Sequence, residues 1–80
     1  MRRSKSEIML DVLNICRNGA SKTKIVYKAN LNFNMATPYI DLLSGKGLLR
    51  IRDGPGTLYE TTPNGLDVMK TLRQLGTYLS

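Results

Sequence analysis

Residues 21–33 read Ser-Lys-Thr-Lys-Ile-Val-Tyr-Lys-Ala-Asn-Leu-Asn-Phe, and this stretch decides the fold. Ser21 is a good N-cap for a short helix from Lys22 to Ala29, because its hydroxyl can accept a bond from an unpaired first-turn amide. Within that helix Ile25, Val26 and Ala29 face inward, while Lys24 and Lys28, four apart, share the outer face. Asn30-Leu31-Asn32 is a tight turn, and Asn32 caps a further helix from Phe33 to about Ser44. Phe33, Ala36, Tyr39, Ile40 and Leu43 fall on one side of its wheel, and Asn34, Thr37, Pro38 and Asp41 on the other. Pro38 removes one backbone hydrogen bond, so it is expected to bend the first turn or to move the true start later.

Upstream, Ser4-x-x-Glu7 fits a capping box, and Ile8, Met9, Val12, Leu13 and Cys16 recur at helical spacing until Asn18-Gly19 ends the run. Cys16 lies on that apolar stripe and is read as a small buried hydrophobe. Downstream, Gly45-Lys46-Gly47 stops the third helix. Leu48 to Asp53 then alternates Leu49 and Ile51 inward against Arg50 and Arg52 outward, as a half-exposed strand does. Gly54-Pro55-Gly56 makes the turn, Thr57 to Thr61 returns as a second strand, and Thr62-Pro63 starts a last helix running to about Tyr78. Tyr27, Tyr39 and Tyr59 have apolar neighbours and are read as core or rim aromatics rather than as stacking platforms for single strands.

The order is therefore α-α-α-β-β-α, mostly helical with one small hairpin, the arrangement of a winged helix-turn-helix. Two helices joined by a tight turn let the second protrude, and a duplex major groove about 12 Å wide admits one helix. The chain of 80 residues is read as a single domain, with residues 1–5 a basic arm around Arg2 and Arg3 and residues 62–79 the C-terminal helix.

Composition narrows the function. Twelve Lys/Arg stand against six Asp/Glu, a net charge of +6, and the charge is lopsided. Residues 1–52 hold ten Lys/Arg and three acids (+7), whereas residues 53–80 hold two Lys/Arg and three acids (−1), so the first part is suited to a polyanion. There is no His and a single Cys, which leaves no His-based acid/base pair and no ordinary zinc ligand set; neither enzymatic activity nor a metal or other cofactor is expected. The start Met-Arg-Arg-Ser-Lys-Ser-Glu has no apolar segment of a signal peptide, and apolar runs are only two or three residues long, so a cytoplasmic chain without a membrane span is expected.

The segment 21–33, together with Tyr39-Ile40, Leu43, Gly47-Leu48-Leu49 and Tyr59-x-x-Thr62-x-x-Gly65, resembles the archaeal winged helix-turn-helix "predicted transcriptional regulator" domains. Related archaeal chromatin proteins add a long dimerising coiled coil to the same domain. The resemblance covers roughly residues 6–75. It implies double-stranded DNA as partner and an archaeal source. Two departures stand out: Pro38 lies in the recognition helix, and the last helix reaches only residue 80.

Residue roles follow from these readings. Lys22, Lys24, Lys28, Lys46, Arg50 and Arg52 are candidates for phosphate contact. Asn32, Asn34, Thr37 and Pro38 are candidates for the groove; Asn bonds adenine and Thr meets a thymine methyl, whereas Pro38 has no donor and Asp41 is repelled by phosphate, so base readout is sparse. In the last helix Leu66 and Met69 point one way, and Val68, Leu72, Leu75 and Leu79 form a second stripe, read as a homodimer seam. The leading function is a dimeric DNA-binding transcriptional regulator, with no small-molecule substrate indicated. A nucleoid or architectural DNA-binding protein and a winged-helix protein-docking module are the alternatives.

Overall fold

Three local caps launch the first three helices. The Ser4 hydroxyl accepts the Glu7 amide at 3.1 Å and the Glu7 carboxylate returns to the Ser4 amide at 3.4 Å, closing a capping box on α1 (Lys5–Ile15). Ser21 Oγ accepts the Lys24 amide at 3.1 Å to open α2 (Lys22–Ala29), and Asn32 Oδ1 accepts the Met35 amide at 2.8 Å to open α3 (Phe33–Gly45). Asn30 ends α2 in the left-handed region at φ 56°, which an Asn tolerates better than most side chains. The hairpin β1 (Leu49–Arg52) and β2 (Leu58–Thr61) precedes α4 (Pro63–Leu79). The computed structural model describes the backbone of residues 4–79 and the side chains of residues 4–76. Arg2 and Arg3 of the predicted arm lie outside the described residues; Lys5, assigned to that arm, is the first residue of α1.

The element order is the one expected, α-α-α-β-β-α, with boundaries close to those read from the caps. Pro38 neither delays nor divides α3, which runs unbroken from Phe33. Proline at this position removes the amide that would serve the Asn34 carbonyl, and Asn34 is exposed, so water can take the vacated bond.

The core joins α1, α2 and α3 around Val12, Leu13, Ile25, Ala36 and Leu43, with Leu49 brought in from β1 and Met69 from α4. Cys16 is fully buried there, as its place on the stripe of α1 required, and desolvation pushes its thiol up to about 12 against the opposing charge of Lys24. It is a packing residue.

Three apolar side chains of α2, α3 and β1 depart from their expected places. Phe33 (51% exposed) sits at the first position of α3, before the helix reaches the core, and Ile51 (57% exposed) lies one pleat beyond buried Leu49, towards the turn. Tyr27, expected at the core or its rim, is 82% exposed on the outer side of α2. Tyr39 and Tyr59 do pack against the core. Periodicity reports the side of an element and not how far that side stands from other elements.

The hairpin is stapled to the helices by its second strand. β1 and β2 pair antiparallel with Leu49 opposite Thr61, Arg50 opposite Glu60, Ile51 opposite Tyr59 and Arg52 opposite Leu58. The other edge of β2 is closed by Ala20, which exchanges two backbone bonds with Tyr59 (2.9 and 2.8 Å). Thr61 donates its hydroxyl to the Leu13 carbonyl at 2.6 Å and its amide to the Cys16 carbonyl at 2.9 Å, which also accepts the Gly19 amide at 3.1 Å, so it serves acceptors at the C-terminal end of α1. Thr62 then couples both ends of the wing: its hydroxyl donates to the Gly47 carbonyl (2.6 Å) and accepts the Gly65 amide (3.0 Å). Gly47, at φ 73°, lets the chain turn from α3 into β1.

Candidate nucleic-acid interface

α3 packs against both α2 and β1, so the three groups of candidate residues lie on adjoining elements. Its outward face carries Asn34, Met35, Pro38, Asp41 and Leu42, all exposed. Thr37 is half-buried, and its hydroxyl donates to the Phe33 carbonyl at 2.9 Å, which leaves its methyl and an acceptor lone pair for any groove contact. Asn32 is exposed, but its side-chain oxygen is engaged in the cap, so only its amide nitrogen is free to donate outward. The thirteen residues of α3 contain no Lys or Arg.

Positive charge comes from the flanks. Lys24 and Lys28 are exposed on α2, Lys22 is half-buried at its start, and Lys46 is exposed at the C-cap of α3. Among the described residues none of these four lysines makes an ion pair.

The wing arginines are placed differently. Glu60, opposite Arg50 across the ladder, receives Arg50 Nε (2.8 Å) and Nη2 (2.6 Å) on Oε1 and Arg52 Nη1 (2.9 Å) on Oε2. The two side chains remain 63% and 50% exposed, so the guanidiniums are held in place and still face water. The bond from Arg50, joined by that from Arg52 and by both charges, holds the Glu60 carboxyl below the usual carboxylate range against a smaller opposing desolvation. Sequence reading assigned Glu60 no role. The signal for its role was the ladder register, which brings positions 50, 52 and 60 to one face of the hairpin.

On α4, Val68 packs partly buried against the domain's own core, Leu72 is half-buried and Leu75 is 49% exposed; the side chain of Leu79 lies outside the described residues. Leu66, read as sharing the inward direction of buried Met69, is 43% exposed. Among the described residues no three His, Cys, Asp or Glu side chains cluster as metal ligands, and no helix is long and apolar enough to cross a membrane.

A helix pair joined by a short turn, its second helix outward and followed by a two-stranded wing, defines a winged-helix domain. The chain belongs to the winged helix-turn-helix family, whose pattern it matches over residues 2–79. It is 36% identical over 50 residues to an uncharacterized protein of the archaeon Methanocaldococcus jannaschii, a match covering 61% of this chain and 52% of that protein; the chain thus spans about half the length of this relative. Its structure is similar to that of Sso10a-2, a DNA-binding protein from Sulfolobus solfataricus (TM-score 0.88, 28% identity, 95% of this chain and 81% of that one). Two further likenesses concern the fold alone. They are the transcriptional regulator BldR of Sulfolobus solfataricus (TM-score 0.81, 22% identity, 91% and 56% covered) and Lactococcus lactis ZitR in complex with DNA (TM-score 0.71, 17% identity, 98% and 60% covered).

Proposed function

We propose that the protein binds double-stranded DNA and acts as a transcriptional regulator without enzymatic activity, working in the cytoplasm on the nucleoid as a homodimer. α3 enters the major groove, with Asn34, Thr37, Pro38 and the Asn32 amide toward the bases. Lys22, Lys24, Lys28 and Lys46, with Arg50 and Arg52 on the wing, meet phosphates on either side of the groove. The observation that carries this reading is the set of lysines on α2 and at the end of α3, which make no ion pair among the described residues and border an outward helix that has no cation of its own. Cations left in water around a protruding helix give a polyanion its attachment points.

The dimer seam is assigned to Leu72, Leu75 and Leu79, with Val68 at its inner edge, because Leu75 stands half in water beside half-buried Leu72. A two-fold dimer would engage two half-sites about 34–36 Å apart. The lack of Arg or Lys on α3 also favours a second reading, an architectural protein that coats DNA with little base preference.

Duplex binding followed over a salt series tests the proposal. Each phosphate contact adds about −0.9 to the slope of log affinity against log salt, so Lys24→Ala flattens the slope by about that amount. An affinity indifferent to salt overturns DNA binding. Selection from randomised duplexes then separates the readings: a recovered two-fold motif supports the regulator, and an unenriched pool the architectural protein.

A further inference from the structure

The outward face of α3 is more apolar than a helix meeting water alone requires. Met35 (46% exposed), Pro38 and Leu42 (44% exposed) follow one another at i, i+3 and i+7 and so form a strip about 10 Å long. Beside it lie Asn34, half-buried Thr37 and Asp41. The flanking lysines already commit this face to a polyanion, which sets the chemistry that the strip would meet.

The base edges of the major groove differ in what such a face can satisfy. Guanine presents two acceptors, N7 and O6, which are met best by Arg or Lys; α3 has neither. Packing this strip on guanine would strip water from acceptors and return no donor, a desolvation cost without compensation. Thymine presents a 5-methyl group, the only apolar group on a major-groove edge, and adenine presents the N6 donor and N7 acceptor that an Asn side chain matches in pairs. Asp41 is acceptor-only and can accept a hydrogen bond from adenine N6 or cytosine N4, so it discriminates against neither A·T nor C.

We propose that α3 selects A·T-rich duplex by packing Met35, Pro38 and Leu42 against thymine methyl groups while Asn34 bonds adenine. This rests on the DNA-binding reading above and adds the base chemistry to it. The strip spans roughly three base pairs at 3.4 Å each, so it reaches a short run of methyls rather than one. Phosphates supply the bulk of the affinity and methyls the preference.

The test compares four duplexes of equal length: one rich in A·T, the same duplex with every thymine replaced by deoxyuracil, and a G·C-rich duplex with and without 5-methylcytosine. Deoxyuracil removes only the methyl group. Loss of one buried methyl corresponds to about fourfold in affinity, so the deoxyuracil duplex binds at least fourfold more weakly than its thymine parent, with an unchanged salt slope. Met35→Ala and Leu42→Ala, at exposed positions that leave the core intact, shrink that gap, and 5-methylcytosine raises affinity for the G·C duplex. Equal binding of the thymine and deoxyuracil duplexes overturns methyl readout while leaving DNA binding in place. No binding to any duplex at low salt overturns the underlying reading instead. Met35→Ala and Leu42→Ala variants that lose affinity equally for the thymine and deoxyuracil duplexes also refute the proposal.

Discussion

Glu60→Gln is expected to strengthen DNA binding by releasing two arginines. In the wild type the Glu60 carboxylate bonds Arg50 and Arg52 together, so three charged groups present a single net positive charge on that face of the wing. Glutamine keeps the size of the side chain but offers one acceptor oxygen and an NH₂ group that turns away cations. Both guanidiniums are already half-exposed and are then free to reach phosphate. Arg50 and Arg52, whose wild-type phosphate contacts the Glu60 carboxylate partly neutralises, then count in full and steepen the log–log salt slope by up to about 1.8, twice the contribution of about 0.9 per contact. Fluorescence anisotropy of a labelled duplex across a salt series reads this directly. The variant therefore gains most at low salt and loses its advantage as salt rises.

The same carboxylate has a pH signature. Its folded pKa lies below the ordinary value, so its bonds stabilise the hairpin fully above the unfolded pKa, and that contribution is lost as pH falls through the folded pKa. Wild type should lose melting temperature in that acid range more steeply than Glu60→Gln. At neutral pH the variant should melt slightly lower, since a cross-strand pair is gone. A Glu60→Gln protein that keeps its fold but shows an unchanged or shallower salt slope refutes the placement of Arg50 and Arg52 at the DNA backbone.

Other substitutions probe the scaffold and the assembly. Thr61→Val leaves the Leu13 carbonyl without its hydroxyl donor in a buried place, which costs about 1–3 kcal/mol, and each kcal/mol is about 4–8 °C of melting temperature in a domain of this size. Thr61→Ser should recover most of that loss. Gly65→Ala puts a Cβ against the Leu48 carbonyl oxygen and 2.6 Å from Thr61 Cγ2, forcing α4 away from the wing. That overpacking, typically 1–3 kcal/mol, outweighs the gain of about 1 kcal/mol in helix propensity, so denaturant unfolding should show net destabilisation. Leu72→Glu with Leu75→Glu sets like charges across the proposed seam, and sedimentation should report the 9.0 kDa monomer with helix content retained. A wild type that is itself monomeric at micromolar concentration removes the seam.

What the residues determine without tertiary help is whatever a few neighbours can satisfy. Ser4 with Glu7, Ser21 and Asn32 each bind an amide three residues ahead, and Thr62 does the same for Gly65, so all four helix starts were legible as caps. The lysines of α2 were legible too, because their spacing alone places Lys24 and Lys28 on the outer face. Tertiary structure decided the rest through contacts between distant residues. The ladder register joined Arg50 and Arg52 to Glu60, closure of β2 drew in Ala20, and the approach of α4 to the Leu48 carbonyl required a glycine at position 65. The same holds for Tyr27, Phe33 and Ile51, apolar in pattern and exposed in place. A hydrophobic period states which way a side chain points. Whether anything stands there to cover it depends on how the elements pack, and that is a property of the whole chain.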